Sequence, residues 1–500
     1  MQQDKPDVVA AIDLGSNSFH MIVARLDETG TLTVLDKLRE SVRLGGGLNK
    51  NGKIDKKTRK RALDCLERFG QRIKNLPRGS VRVVGTNTLR VAKNSKSFVS
   101  KAERMLGHEI EIISGLEEAR IIFLGVAHGR ATREGKRLVV DIGGGSTELI
   151  VGEGAASEIR ESLHIGCVSA SREYFEDGKI SEARMAKAEM AARLTIHPYA
   201  HEFRKRDWQE AVGCSGTIKA IRNIAQAEGW CDSGLTLDAL YEMRSAVIEQ
   251  GDISRLSLVE LKEDRAPVLP GGLAVLIAVF EALNISHMRV SDLALREGLL
   301  YDLVGRINRE DVRDATVDSA LKRWSIDRPH AEAVAATAFQ LFNQVADQWE
   351  LGEERERMLR WAALLHEIGL QVSHSSFQKH GAYILANADL PGFSRPEQEL
   401  LATLVLNHRK KFRFDTFLEL VETAQTPGSR LCVILRLAAL LHRGRPRESG
   451  PEVGIDVDGM QVRLTFPDGW LDAHPLTNVD LKRERDYLAQ ADYRLVHKKT

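Results

Sequence analysis

An internal duplication constrains this chain more than any other feature. The segment from Val8, VVAAIDLGSNSFHMIVARL, and the segment from Arg137, RLVVDIGGGSTELIVGEG, share one pattern. Each is an apolar β-rich run, an Asp, a turn of small polar residues and a second apolar run. That pattern predicts strand, tight turn and antiparallel strand. The two aspartates, Asp13 and Asp141, lie 128 positions apart. A second pair, VRVVGTNTLR (Val81 to Arg90) and EAVGCSGTIK (Glu210 to Lys219), reads twice as strand, Gly, Thr-bearing turn and a basic residue opening a helix. Gly85 follows Asp13 by 72 residues, and Gly213 follows Asp141 by the same 72. Equal spacing of two unlike motifs is hard to obtain by accident. It predicts two homologous α/β domains, at about 1–124 and 125–303, with their turns facing each other across a cleft.

Turns of this composition suit phosphate. Gly lets the backbone approach an oxyanion closely, and consecutive N–H groups make an anion nest. Ser and Thr add donors, and Asp supplies a hard oxygen for Mg²⁺. One such hairpin is more often structural than functional; two facing copies shift the balance. No GxxxxGK[ST] or GxGxxG is present, so other phosphate folds are not supported. Lys+Arg number 71 against 70 Asp+Glu, a formal net charge of +1. This excludes a globally basic nucleic-acid binder, and a polyanion would have to be met by a local basic stripe. The five Cys are scattered without a CxxC pair, which argues against a disulfide scaffold or structural zinc and fits a reducing compartment. The N-terminus carries early acids and no long apolar run, so it does not read as a signal peptide. The longest uncharged apolar stretch, Ala266 to Phe280, falls short of the ~20 residues of a spanning helix and predicts a buried helix after a turn. The expected location is cytoplasmic, with peripheral attachment at the inner face of the membrane as the alternative.

Five motifs carry a family resemblance: DLGSNSFH (Asp13 to His20), ISGLEEAR (Ile113 to Arg120), DIGGGSTE (Asp141 to Glu148), GCSGT (Gly213 to Thr217) and ALREG (Ala294 to Gly298). In order and content they resemble the exopolyphosphatase/guanosine pentaphosphate phosphohydrolase family. The resemblance covers roughly the first 300 residues strongly and continues through LLHEIGL (Leu364 to Leu370) and DLPGF (Asp389 to Phe393). It implies an α/β fold of two duplicated actin-like, ribonuclease H-like domains with a cleft. An all-α HD-like domain over 304–445 and a small α+β domain over 446–500 would follow. The long, four-domain bacterial exopolyphosphatases are the nearest likeness. Gly145 is a modest pointer to that branch, because the pentaphosphate branch tends to carry Ala there.

Phosphoanhydride hydrolysis needs an aligned water, a base and cations on the phosphoryl oxygens. Ser114-Gly115 reads as a helix start with Glu117 and Glu118 in its first turn. Adjacent helical residues point about 100° apart, so at most one of the two faces the cleft, and the residues alone do not say which. The family motif places the catalytic carboxylate at Glu118. By the same resemblance Asp141 and Glu148 are Mg²⁺ carboxylates. Gly144, Gly145, Ser146 and Thr147 cradle phosphate, as do Asn17 and Ser18 from the first copy. Asp13 is open between a metal ligand and a residue that holds its turn. Arg90 matches a phosphate ligand, and Arg296 with Glu297 reads equally well as an interdomain ion pair.

Beyond about 303 the pattern changes to long helices, as in Ala331 to Trp349. His366, His374, His380 and His408 resemble the scatter of an HD-type phosphohydrolase domain. Its metal site requires a His-Asp pair, and the pair here reads His366-Glu367, so no metal is expected there. EVGIDVDGMQVRLTF predicts a hairpin turning at Asp458-Gly459. Lys482 to Leu495 predicts a helix, and the basic run His442 to Gly450 an exposed linker. Basic clusters at Arg204–Arg206, Lys219 with Arg222, His408–Lys411 with Arg413, and Arg443–Arg447 could together guide a phosphate polymer. The expectation is an Mg²⁺-dependent exopolyphosphatase with Glu118 as base. Processivity, K⁺ stimulation and homodimerisation are implied by the resemblance alone. Removal of the 5′ terminal phosphate of guanosine pentaphosphate (pppGpp) is the alternative. A kinase of the same fold and a non-catalytic alarmone or polyphosphate sensor are the weaker rivals.

Overall fold

The computed structural model describes residues 6–27, 31–77, 79–129, 135–307, 311–445 and 452–499. The chain divides into two compact units, 1–311 and 312–500. The first unit holds two sheets. In one, β1 (Val8–Leu14), β2 (Phe19–Leu26), β3 (Leu32–Glu40), β4 (Val81–Gly85) and β5 (Glu111–Ile112) lie in the order β3-β2-β1-β4-β5. The other contains β6 (Arg137–Ile142), β7 (Thr147–Glu153), β8 (Ala156–Leu163), β9 (Glu210–Cys214), β10 (Leu235–Thr236) and β11 (His287–Val290). Its order is β10-β11-β9-β6-β7-β8. β8-β7-β6-β9-β11 thus repeats β3-β2-β1-β4-β5, with β10 added. The central pairs are antiparallel (β1 with β2, β6 with β7) and the crossovers parallel (β1 with β4, β6 with β9). This is the duplication read from the 128-residue repeat.

Strand pleating explains how the copies join. On β1, Ala10, Ile12 and Leu14 enter a core of their own lobe, whereas Val9 and Ala11 enter a second cluster. On β6, Leu138, Val140 and Ile142 face their own lobe, and Val139 joins that same second cluster. The shared cluster is completed by Ala119, Ile122 and Phe123 of the helix Gly115–Ala127 and by Leu295 and Leu299 of the helix Leu295–Ile307. Side chains alternate faces along a strand, so Asp13 and Asp141 continue the parity of Ala11 and Val139. Both acids therefore lie on the shared side, at the ends of their strands. The expected boundaries at 124 and 303 both fall within these two helices, which belong to the shared layer and not to either copy alone.

The two helices touch backbone to backbone. A Cβ built on Gly298 would lie 1.9 Å from the Ile121 carbonyl oxygen, and one on Gly125 would lie 2.1 Å from that of Ala294. No side chain fits there without separating the helices. The apolar helix Leu269–Leu283, after a short turn at Ala266–Val268, is buried in the second lobe's core, as its sequence predicts. The span Ala266–Leu283 has a mean hydropathy of 1.9 and is long enough to cross a membrane, yet most of it is packed inside the unit. Of the five cysteines, all free, only Cys231 is not fully buried.

The second unit packs long helices, among them Arg328–Val345, Glu353–Leu365, Arg395–Asn407 and Glu422–Leu441, around one apolar core. The strands β12 (Gly454–Asp458), β13 (Gln461–Phe466) and β14 (Arg494–Lys499) form a sheet whose Ile455, Leu464 and Leu495 enter that same core. The packing is therefore continuous across the expected boundary at 445/446. Buried Arg436 ties the parts together. It pairs with Glu484 of the helix Pro475–Leu488 and donates to the Lys410 carbonyl at 2.7 Å. Two expectations change here. The hairpin turns on Gly459-Met460, between paired Asp458 and Gln461, one residue later than predicted. The terminal helix stops at Leu488, and Arg494 onward pairs in parallel with β13, because Asp492 adopts a left-handed conformation (φ 62°) that breaks the helix and Leu495 is buried as a strand residue. In the predicted linker His442 is buried and bonds Thr337 (2.7 Å), while 446–450 lie outside the described residues. Gly298→Ala should lower stability by about 1–3 kcal/mol, the cost of overpacking, read as a drop in the urea midpoint. An unchanged midpoint would mean that the helices can separate freely.

Candidate active site

The antiparallel register sets Asp141 directly opposite Glu148, and Asp13 directly opposite His20. Directly opposed residues share one face of the sheet, so each copy presents a two-residue pair toward the shared side. His20 follows Asp13 by seven residues, as Glu148 follows Asp141. That count was available in the sequence, but His20 was not among the expected residues. Its Nδ1 lies 3.4 Å from Asp13 Oδ2.

The helix carrying the Glu117-Glu118 pair starts as expected, with Ser114 Oγ accepting from the Glu117 amide at 3.1 Å. The two glutamates then separate. Glu117 receives two hydrogen bonds from Arg120, both 2.8 Å, inside a buried ion cluster with Arg82, Glu111, Asp302 and Arg306. Glu118 turns the other way and accepts from Arg90 Nη1 at 2.8 Å. Arg90, on the short helix Asn87–Val91 after β4, also donates to the Ile113 carbonyl at 3.0 Å. Glu118 is therefore the acid near Asp13, Asp141 and Glu148, which the residues alone left open.

The turns meet as the duplication predicts. A Cβ on Gly144 would sit 2.9 Å from that of Ser16, and one on Gly145 would sit 2.4 Å from Asn87 Oδ1. The carbonyls of Gly143 and Gly144 accept from the amides of Cys167, Val168 and Ser169. That spends the carbonyl edge of the turn and leaves the amide edge for an anion. Asn17 is fixed through its carbonyl, which accepts from the Arg43 amide at 2.7 Å, and Ser18 is approached by Arg39 at 3.5 Å. Ser146 is buried in its turn. Thr147 departs from the expected cradle. It is fully buried and its hydroxyl donates to the Ile165 carbonyl at 2.7 Å. As the first residue of β7 it points to the face opposite Glu148. Arg296 lies 3.7 Å from Glu297, which also pairs with Lys37 at 3.3 Å. Among the expected basic clusters, Lys219 pairs with Asp292 (3.4 Å) and Arg443 with Asp480 (2.6 Å). Both already have acidic partners.

Electrostatics mark the acids. Burial pushes Asp141 up to about 7, against a Cys214 thiol that donates to it at 3.2 Å, and nearby Glu118 and Asp13 add to the rise. Burial, with Glu118 and Asp141 beside it, raises Glu148 well above the carboxylate range. Burial also raises Glu118, opposed by Arg90. Ser162 Oγ donates to Glu148 Oε1 at 2.9 Å. Glu148 Oε2 and Asp13 Oδ1 are buried with no hydrogen-bond partner among the described residues. Crowded hard oxygens, two of them orphaned, fit a small divalent cation such as Mg²⁺. Sequence reading treated Cys214 only as a small buried residue, and nothing in its spacing marks the contact with Asp141.

Asp141 gives a pH prediction. Its acidity in the fold is weaker than in the unfolded chain, so its contribution is full below the ordinary carboxylate range and is lost as pH rises through about 7. Without divalent cation, the thermal midpoint of the wild type should fall between pH 5 and 8 relative to Asp141→Asn. Saturating Mg²⁺ should offset the loss. Parallel pH profiles for the two proteins in chelator would contradict this.

The comparisons agree with the geometry. The model of the Ppx/GppA phosphatase family matches residues 22–307, and that of its domain III matches 312–485. A protein of Aeromonas hydrophila named guanosine-5′-triphosphate,3′-diphosphate pyrophosphatase is 42% identical over 476 residues, 95% of each chain. One of the same name from Pseudoalteromonas atlantica is 39% identical over 97% of this chain and 96% of its own. Among solved structures, the Aquifex aeolicus Ppx/GppA family member is similar at 26% identity, with a TM-score of 0.50, covering 61% of this chain and 98% of its own. An exopolyphosphatase of Cytophaga hutchinsonii shares the fold at 23% identity and a TM-score of 0.54, over 60% of this chain and 98% of its own. Two motif-bearing copies on an actin-like fold, followed by a helical third domain, make this chain a member of the Ppx/GppA phosphatase family.

Proposed function

We propose that the chain hydrolyses the terminal phosphate of guanosine pentaphosphate, with inorganic polyphosphate as a second substrate. The carrying observation is the identity of 42% over 95% of both chains to a relative named for the pentaphosphate reaction. It outweighs Gly145, which had tipped the expectation toward exopolyphosphatase. The two substrates share a terminal phosphoanhydride, so the same site chemistry serves both.

In this reading Glu118 takes the proton of the attacking water. Burial lifts its pKa above the ordinary carboxylate value, against the pull of Arg90, which suits a base that must accept a proton and later release it. Arg90 holds the Glu118 carboxylate and keeps it out of the apolar layer behind it. The amides of Gly144 and Gly145, with Asn17 and Ser18 from the first copy, bind and orient the phosphates. Asp141, Glu148 and Asp13 would hold the divalent cation. When bound, that cation supplies charge neutralisation to the phosphoryl oxygens. Cys214 and Ser162 orient Asp141 and Glu148 through their hydrogen bonds. A sensor that binds without cutting has no use for a buried base set beside Asp13, Asp141 and Glu148, which argues against that rival. A homodimer acting in the cytoplasm belongs to the same proposal.

The test is phosphate release from pentaphosphate, long polyphosphate and ATP, side by side with Mg²⁺. Pentaphosphate should give the highest kcat/KM. A tenfold advantage for polyphosphate would restore the exopolyphosphatase reading, and efficient ATP use with an acceptor would restore the kinase. Glu118→Ala should cut kcat by more than tenfold while substrate still binds. Activity above a tenth of wild type would remove Glu118 from the base role.

A further inference from the structure

The second unit brings together residues that are distant in sequence. His330 lies in the first turn of the helix Arg328–Val345, and His366-Glu367 follow the helix Glu353–Leu365. One donor atom from each of the three falls within 4.8 Å of the other two. His330 Nε2 and Glu367 Oε1 are 3.7 Å apart. Metal–ligand bonds of about 2.0–2.2 Å place neighbouring donors about 3–4 Å apart, so only small side-chain rotations separate this arrangement from a coordination shell.

The imidazoles are oriented for it. His366 is buried, and its Nδ1 lies 2.7 Å from the Ala363 carbonyl. Nδ1 therefore carries the hydrogen, and Nε2 carries the lone pair. His408 repeats the arrangement, with Nδ1 2.7 Å from the Val405 carbonyl and its ring 5.3 Å from that of His366. A backbone acceptor on the far nitrogen is the outer contact that fixes tautomer and ring orientation in metal-binding histidines. Burial also drives both rings to the neutral form, His366 down to about 4 and His408 well below its ordinary value. His374 is exposed and His380 half-exposed, and neither joins the group.

Glu367 already faces a cation. Arg445 donates to both of its carboxylate oxygens, at 2.9 and 2.7 Å, and also pairs with Asp327. The Arg445 side chain is 45% exposed, so solvent can take the guanidinium at little cost.

We propose that His330, His366 and Glu367, with His408 as the adjacent fourth donor, form a binding site for one divalent first-row transition ion, and that Arg445 competes with that ion for Glu367. Imidazole-rich donor sets select ions of the zinc, cobalt and nickel class over Mg²⁺, so the site differs in kind from the oxygen-lined cleft. Sequence reading dismissed it because the pair ends in Glu in place of Asp. It did not include His330, which completes the group.

The full chain, stripped with chelator and returned to excess Mg²⁺, would be titrated with Co²⁺. The expected result is one retained Co²⁺ per chain with the visible absorption of a nitrogen-ligated ion. His330→Gln and His366→Gln should each weaken it at least tenfold, and Arg445→Ala, at an exposed position, should tighten it at least tenfold. Should His366→Gln fail to fold, His330→Gln and Arg445→Ala still decide. No retained Co²⁺ in either the wild type or Arg445→Ala overturns the proposal. Binding unchanged in the histidine variants also overturns it, since the ion would then sit in the cleft.

Discussion

The first unit depends on holding four acids close together at the edge of an apolar layer. Asp13, Glu118, Asp141 and Glu148 stand on one side of two sheets, and among the described residues Arg90 is the guanidinium paired with one of them, Glu118. Carboxylates so buried lose hydration and, being crowded, also repel one another, which is why Glu118, Asp141 and Glu148 all hold protons more tightly than usual. Such an arrangement persists only if the scaffold cannot relax. The backbone contacts at Gly125 and Gly298, and the shared apolar cluster beneath the acids, provide that rigidity.

The neighbouring ion cluster performs the complementary task. Arg82, Arg120 and Arg306 face Glu111, Glu117 and Asp302, three cations against three anions. The cluster is balanced, so it costs little further once formed, and it joins β4, β5 and both shared helices. Glu117 is used up there. Its neighbour, about 100° further round the helix, is left to the unbalanced site. One acidic dipeptide thus divides into a structural residue and a chemical one.

Much of the fold was legible because duplication leaves countable spacings. The 128- and 72-residue intervals located both hairpins, the later strand of each copy with its Gly-Thr turn, and the facing turns. Strand parity also explains why Asp13 and Asp141 point the same way. Side-chain commitments made over long sequence distances were not legible. Thr147 looked like a phosphate donor until the Ile165 carbonyl, 18 residues on, took its hydroxyl. Cys214 reads as a small core residue, and only the pairing of β6 with β9 brings it to Asp141. His330 is separated from His366 by a whole helix hairpin, so no local motif could include it. The final strand failed for a similar reason. Leu495 becomes a strand residue only because β13 offers an edge.

The near-zero net charge can now be placed physically. Over the whole chain 71 basic residues almost cancel 70 acidic ones, but the cancellation is not uniform. The ion cluster is neutral within itself, and basic residues of the second unit, Arg443 and Arg445 among them, have acidic partners. The cleft acids stand apart, with two oxygens unpartnered and one arginine in contact among the described residues. Positive charge is therefore demanded at the cleft, where a divalent cation would meet it. A polyanionic substrate would then be attracted by the loaded site and by turn amides, with no need for a basic surface over the whole molecule.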